Sequence, residues 1–204
     1  MHVIKPISIS NCAMEIKKLL DITTREEFRK WLLTYASTAT ECWVYVKKGK
    51  TPSDGTIRYL DAVEEALCFG WIDSTCKLND GKVVQRFSPR KKDSNWTELN
   101  KERCRRLIKL GLMTPLGMAG LPDLNERFSI DPEVEEAFKA NTRAWKNFKS
   151  FHPLYQRVRI DKIHNEKNRG RTENFYKRLQ KLIEASEQKK IIGDWNDYGR
   201  LLDY

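Results

Sequence analysis

Residues 59–90, YLDAVEEALCFGWIDSTCKLNDGKVVQRFSPR, change periodicity partway along, and that change decides the fold class. Leu60, Val63, Ala66 and Leu67 recur at helical intervals, so a short helix is expected from Tyr59 to Phe69, stopped by Gly70. Trp71–Lys77 and Lys82–Ser88 then read as strands joined by the turn residues Asn79-Asp80-Gly81. Pro89 has no amide hydrogen for a ladder and ends the second strand. A helix feeding directly into a hairpin points to a mixed α+β unit.

The flanking sequence extends the pattern in both directions. Thr24-Arg25-Glu26-Glu27 is a capping box, in which the Thr24 hydroxyl accepts from the Glu27 amide and the Glu27 side chain reaches back. Phe28, Trp31, Leu32 and Tyr35 form the buried stripe of a helix over about residues 25–36. Glu41–Lys48 alternates, with Cys42, Val44 and Val46 opposite Trp43 and Tyr45, and reads as a strand. Residues 50–55 carry turn chemistry. Ser94 and Asn95 are placed to cap a helix from about Thr97 to Leu110, which Gly111 closes. The order α-β-α-β-β-α predicts a small, largely antiparallel sheet with packed helices over residues 1–112. Residues 1–20 are expected to be a short strand or arm and a brief amphipathic segment.

Met113–Leu124 holds two prolines and two glycines and predicts a linker over 113–130. Asp131-Pro132-Glu133 pairs an N-cap acid with proline at the first helical position and starts a helical C-terminal module over 131–204. Pro153 opens a second helix there, and Phe175, Leu179, Leu182 and Ile183 mark a third.

With 204 residues, 40% hydrophobic and 32% charged, the chain can bury a core and is unlike a disordered segment. Its apolar runs are far shorter than the roughly 20 residues needed to span a bilayer, so no membrane insertion is expected. The first residues lack the continuous apolar core of a signal peptide. Five scattered cysteines without a CxxC pair argue against a disulfide framework or cysteine-rich zinc site and for a reducing cytoplasm. The net charge of +10 is uneven: residues 82–109 carry ten Lys/Arg against three Asp/Glu, and 141–190 carry fourteen against five. An acidic segment, 110–140, lies between them. These blocks are either solvated helix faces or a surface for phosphates or nucleic acid.

Candidate ligand-binding residues concentrate in and after the hairpin. Asp73 is either a carboxylate at a pocket mouth, able to orient a ligand or take a proton, or the ion-pair partner of Arg86 or Arg90. Arg86 and Arg90 flank Ser88-Pro89, and their guanidinium forks match a phosphate or carboxylate; the alternative is pairing with Asp73 or Glu64. Trp71 and Trp96 either stack a ligand or anchor the core. Ser94 completes the set. Cys68 and Cys76 read as inert thiols, and as a metal pair they lack two further ligands, so no metal or cofactor is expected. Ser88-Pro89-Arg90-Lys91-Lys92 also looks like the basic arms of some minor-groove DNA binders.

The sequence Ala66–Asp73, ALCFGWID, together with Arg86-Phe87-Ser88-Pro89-Arg90, Ser94-Asn95-Trp96 and Asn100, resembles the YdeI/OmpD-associated family, also described as bacteriocin-protection proteins. Phe28–Leu32, Trp43, Tyr59 and Gly111-Leu112-Met113 extend the resemblance, and Phe148, Pro153, Tyr155, Arg157 and Ile163 fall in the pattern of the family's helical tail. Glu173-Asn174-Phe175 stands where that tail commonly carries Glu-Thr-Arg. The resemblance implies a link to bacteriocin or envelope-stress resistance and leaves the reaction unspecified. The combined expectation is a cytoplasmic protein holding a small anionic ligand among Trp71, Asp73, Arg86, Arg90, Ser94 and Trp96. The alternative is a basic nucleic-acid-binding or protein-interaction module whose tail helices dock another chain. Oligomeric state is left open.

Overall fold

In the computed structural model, residues 15–49 and 55–204 are described. The expected N-terminal arm over residues 1–14 and most of the turn at 50–55 therefore lie outside the described residues, as does Cys12. Leu19–Leu20 form β1, and the Thr24 capping box starts α1, Arg25–Tyr35. Next come β2, Cys42–Lys47, the two-residue β3, Ile57–Arg58, and α2, Tyr59–Cys68. Gly70, at φ 72°, turns the chain from α2 into β4, Trp71–Asn79. Asp80 and Gly81, at φ 49° and 72°, make the tight turn into β5, Lys82–Pro89.

The sheet order is β1-β2-β5-β4, with β3 beside β2. The β2–β5 and β4–β5 pairs are antiparallel, whereas the two-residue strands β1 and β3 pair with β2 in parallel. The fold is thus α+β with a small, mainly antiparallel sheet, and helices fill the C-terminal part. Phe87, Cys42 and Val44 point into one core with Phe28 and Leu32 of α1 and Val63, Ala66 and Leu67 of α2. Cys104 and Leu107 close that core from α3, Glu98–Lys109.

Thr97, not Ser94 or Asn95, caps α3, accepting from the Asn100 amide at 3.2 Å. The hydroxyl of Ser94 instead donates to the Lys91 carbonyl at 2.6 Å and closes the preceding loop.

Part of the expected linker is packed. Pro115–Ala119 form α4, and Thr114 donates to the Cys68 carbonyl at 2.7 Å. Gly117 lies against the same carbonyl group, so closely that an added Cβ would overlap its oxygen and stand 2.7 Å from its carbon. Helical hydropathy had hidden this element: five residues with two glycines nearby read as a loop until a backbone surface holds them.

The tail has four helices instead of three: α5 Pro132–Lys139, α6 Thr142–Ser150, α7 Pro153–Asn168 and α8 Thr172–Glu187. The break between α5 and α6 comes from Asn141, whose side chain accepts from the Ala144 amide at 3.0 Å. A separate aromatic core of Phe138, Phe148, Tyr155 and Phe175 holds these helices together.

The two cores meet along α3. Arg103 grips Asp197 bidentately at 2.6 and 2.8 Å, both side chains buried. This pair helps hold Asp197 and Tyr198 in left-handed backbone, at φ 49° and 59°, a conformation that costs roughly 1–2 kcal/mol per residue. Arg157 of α7 reaches Glu98 and Glu102 at 3.3 and 2.8 Å. Asp161 accepts from the Glu98 amide at 3.3 Å, at the start of α3. Burial, with Glu98 nearby, pushes the Asp161 carboxyl up to about 6, although the hydrogen bond and Lys101 and Lys162 favour its charge.

Two stability predictions follow from these contacts. Gly117→Ala should cost about 2 kcal/mol in urea unfolding, whereas Gly120→Ala, whose added Cβ would meet no atom closer than 4.0 Å, should cost far less. For Asp161, a carboxyl raised in the folded state stabilises fully below the unfolded value near 3.8, and its contribution is lost as pH rises through about 6. Asp161→Asn should therefore gain on the wild type by about 1–2 kcal/mol between pH 4 and pH 7, after allowance for solvent screening, in paired denaturation curves.

Candidate functional site

The register of the hairpin separates the residues expected to converge. Asp73 lies opposite Phe87, and Arg86 lies opposite Trp43. Directly paired residues share a sheet face, and successive residues alternate. Asp73 is therefore on the helix-covered face with Phe87, and Arg86 is on the other. The expected six-residue pocket does not form.

Each residue has its own partner instead. The Asp73 carboxylate accepts from the Tyr59 hydroxyl at 2.6 Å. Burial and that carboxylate hold Tyr59 well above the usual tyrosine range. Arg86 donates twice to one Glu41 oxygen, at 2.9 and 2.6 Å, and also to Ser74 at 3.1 Å. Its hydrogen bond keeps Glu41 below the usual carboxylate range. Trp71 is only 1% exposed, donates to the Ala36 carbonyl at 3.1 Å and meets Trp31 edge-on, which makes it a core anchor.

Three of the six do come together. Pro89 ends β5, and Arg90 leaves the strand alternation with its amide donating to Gly70 at 2.9 Å. Its guanidinium lies 3.7 Å from the centre of the Trp96 ring and donates to the Asn95 carbonyl at 3.0 Å and to Ser94 at 3.4 Å. Arg90, Ser94 and Trp96 thus stack together, with the Arg90 Nε buried without a hydrogen-bond partner and burial pulling Arg90 below the usual arginine value.

Three thiols are chemically quiet: burial pushes Cys42, Cys68 and Cys104 up to about 12. Cys76 is exposed, with the Lys48 ammonium 3.8 Å from its sulfur. Among the described residues no group of His, Cys, Asp and Glu is arranged to hold a metal ion.

Much of the basic block at 82–109 is also spent internally. Arg86, Lys101, Arg103, Arg105 and Arg106 pair with Glu41, Glu98, Asp197, Glu102 and Glu64. The second block differs. Arg159 and Lys162 of α7 face Asn174, Lys177, Arg178 and Lys181 of α8 across an open cleft of about 430 Å³, and no Asp or Glu lines it. Ile163, Leu182 and Ile192 supply an apolar wall.

The floor of this cleft is built, not merely exposed. Arg159 and Lys162 both donate to the Asp194 carbonyl, at 2.9 and 3.1 Å. The Arg159 guanidinium stands 5.5 Å from the Tyr155 ring centre, and its Nε is buried without a hydrogen-bond partner. Gly193, at φ 61°, covers the guanidinium so closely that a Cβ there would lie 2.7 Å from Nη2. The Tyr155 hydroxyl accepts from the Ile192 amide at 3.2 Å and pins this covering segment.

Burial and the neighbouring cation Arg178 pull Arg159 below the usual arginine value, partly offset by Tyr155 and Asp194. Burial and Arg159 likewise pull Lys162 down, with Asp194 opposing. Arg178 pairs with Glu166 at 3.1 Å, but Arg159, Lys162, Lys177 and Lys181 make no ion pair among the described residues. The sequence did contain a signal for this site. Arg159 and Lys162 stand three apart on one helix, and Lys177, Arg178 and Lys181 recur at helical spacing on the next. Only the packing of α7 on α8 turns two solvated-looking faces toward each other.

Comparison with protein families divides the chain where the structure does. Residues 20–120, including the helix–hairpin motif, match a domain of unknown function (DUF8412). Residues 127–189, which hold most of the cationic cleft, match the family described as bacteriocin-protection, YdeI or OmpD-associated. No curated protein and no solved structure matches the chain. The family expected from the hairpin motifs is thus matched only through the helical tail, residues 127–189, while the motifs themselves fall in the other matched domain.

Proposed function

We propose that this chain binds a small anionic ligand in the α7–α8 cleft, within the reducing cytoplasm. The observation that carries this reading is the pair Arg159 and Lys162: partly buried, lowered in pKa, without an ion pair among the described residues, and both bonded to the Asp194 carbonyl. A half-buried charge without an ion pair is costly to keep, and such groups cluster where a ligand supplies the missing charge. Guanidinium and ammonium donors of this kind suit phosphate or carboxylate oxygens. The unpaired thiols of Cys42, Cys68 and Cys104 support the reducing compartment. Protection against a bacteriocin or envelope stress would follow indirectly, from capture of a metabolite or signal inside the cell.

A small ligand is favoured over nucleic acid because half of the first basic block, five of its ten cations, is taken up in ion pairs and so is not free to track phosphates.

At low ionic strength, inorganic phosphate at 100 times its dissociation constant should raise the unfolding temperature by about 5–10 °C. Arg159→Gln combined with Lys162→Gln should abolish that increment, and Arg86→Gln should keep it. The opposite pattern would return the site to the hairpin. Lys162→Met should show a second signature: without ligand it should be about 1 kcal/mol more stable than the wild type in urea, because a half-buried charge beside Arg159 is gone. With phosphate present, that order should reverse.

A further inference from the structure

We infer that the ligand of this cleft carries at least two linked phosphoryl groups on a compact, partly apolar body, the chemistry of a nucleoside diphosphate. The inference rests on the anion-binding reading above and adds the class of ligand.

Charge matching supports a polyphosphate. Four cations in the cleft lack an acidic partner, and Arg178 shares Glu166 at the rim. A carboxylate would answer one of them, and a phosphate monoester contributes only about −1.5 to −2 at neutral pH. Two joined phosphoryl groups approach the charge of the unpaired set. The cations also stand on both walls, Arg159 and Lys162 on α7 and Lys177 and Lys181 on α8, which suits an anion with two centres.

The apolar wall argues against inorganic polyphosphate. Ile192 is partly exposed beside the cations, with Ile163 and Leu182 buried behind it, and an inorganic chain would leave Ile192 in contact with water. Asn174 lies in the cleft without a hydrogen-bond partner among the described residues, and offers both an amide donor and an acceptor to a base edge or hydroxyl. At about 430 Å³ the cleft sits in the lower range of small-molecule sites and has room for a single nucleotide, not a polymer.

The covering segment adds preorganisation. Gly193 and Tyr155 border the Arg159 guanidinium, and the Asp194 carbonyl fixes one of its amino groups, so little side-chain freedom remains to be lost on binding. Gly193 is a positioning residue on this view: a side chain there would displace Arg159 while leaving the helices in place.

Calorimetric titration of the full chain in low-salt, metal-free buffer tests the assignment. The probes are ADP, AMP, inorganic pyrophosphate, benzoate and a 12-nucleotide single strand of DNA. ADP should bind at least tenfold more tightly than AMP, pyrophosphate or benzoate. Gly193→Ala and the exposed Lys181→Gln should each weaken ADP at least fivefold, with unfolding temperatures showing that both variants remain folded. Pyrophosphate or benzoate binding as tightly as ADP, with loss in the same variants, would overturn the nucleotide-like class and leave the anion cleft standing. Tighter binding of the DNA strand would overturn it in favour of nucleic acid. No binding of any anion, or binding unaffected by Arg159→Gln with Lys162→Gln, would overturn the underlying reading itself.

Discussion

Two adjacent glutamates in the middle of α2, Glu64 and Glu65, are each about 1% exposed, and the arrangement of the first core depends on neutralising them. An uncompensated buried carboxylate costs several kcal/mol even after relaxation. Arg25 reaches Glu65 at 2.5 Å and Glu64 at 2.9 Å, and Arg29 reaches Glu65 at 2.8 Å, both from α1. Arg106 of α3 meets Glu64 at 2.9 Å, and Arg200, beyond the last helix, lies 2.7 Å from Asp61 and 3.4 Å from Glu64. These guanidinium groups must all be in place together, so α1, α2, α3 and the segment around residue 200 are fixed relative to one another. Breaking one partner strands charge, which makes the cluster a specifier of arrangement more than a source of net stability.

The same constraint sorts the molecule's cations into two populations. Those near the first core are structural: Arg106 serves Glu64, Arg103 serves Asp197 and Arg86 serves Glu41. Of those between α7 and α8, Arg178 serves Glu166, whereas Arg159, Lys162, Lys177 and Lys181 make no ion pair among the described residues. A net charge of +10 is therefore a poor guide to surface potential here, because many of the cations are matched in specific ion pairs. Part of the remaining excess faces one cleft with a preorganised arginine at its floor. The α3 seam, through Arg103–Asp197 and Arg157–Glu102, couples that helical module to the sheet domain.

The local elements were legible because their signals are local. The Thr24 capping box, the Asp80-Gly81 turn, the stop at Gly70 and the Asp131-Pro132 start each act within a few residues, and each stands where the sequence places it. The misses have equally definite causes. α4 is held by the backbone of α2 at Cys68, a contact 46 residues away in sequence. The α5–α6 break depends on one asparagine cap within an otherwise continuous helical pattern. Glu64 was legible as a cation's partner, but its partners are Arg25, Arg106 and Arg200, not Arg86 or Arg90.

By itself the sequence determined the α+β class, the helix-to-hairpin core and the helical tail, because propensity and turn chemistry are properties of short segments. Tertiary structure alone decided where the unpaired charge of the cleft lies. A hairpin register that sets Asp73 opposite Phe87 sends Arg86 to the far face, and a difference of one residue in that register would have reversed the outcome. Likewise, only the packing of α7 against α8 brings Arg159 and Lys162 before Lys177 and Lys181. Which cations are neutralised and which are left facing a cleft depends on distances between residues far apart in the chain, and no local pattern records them.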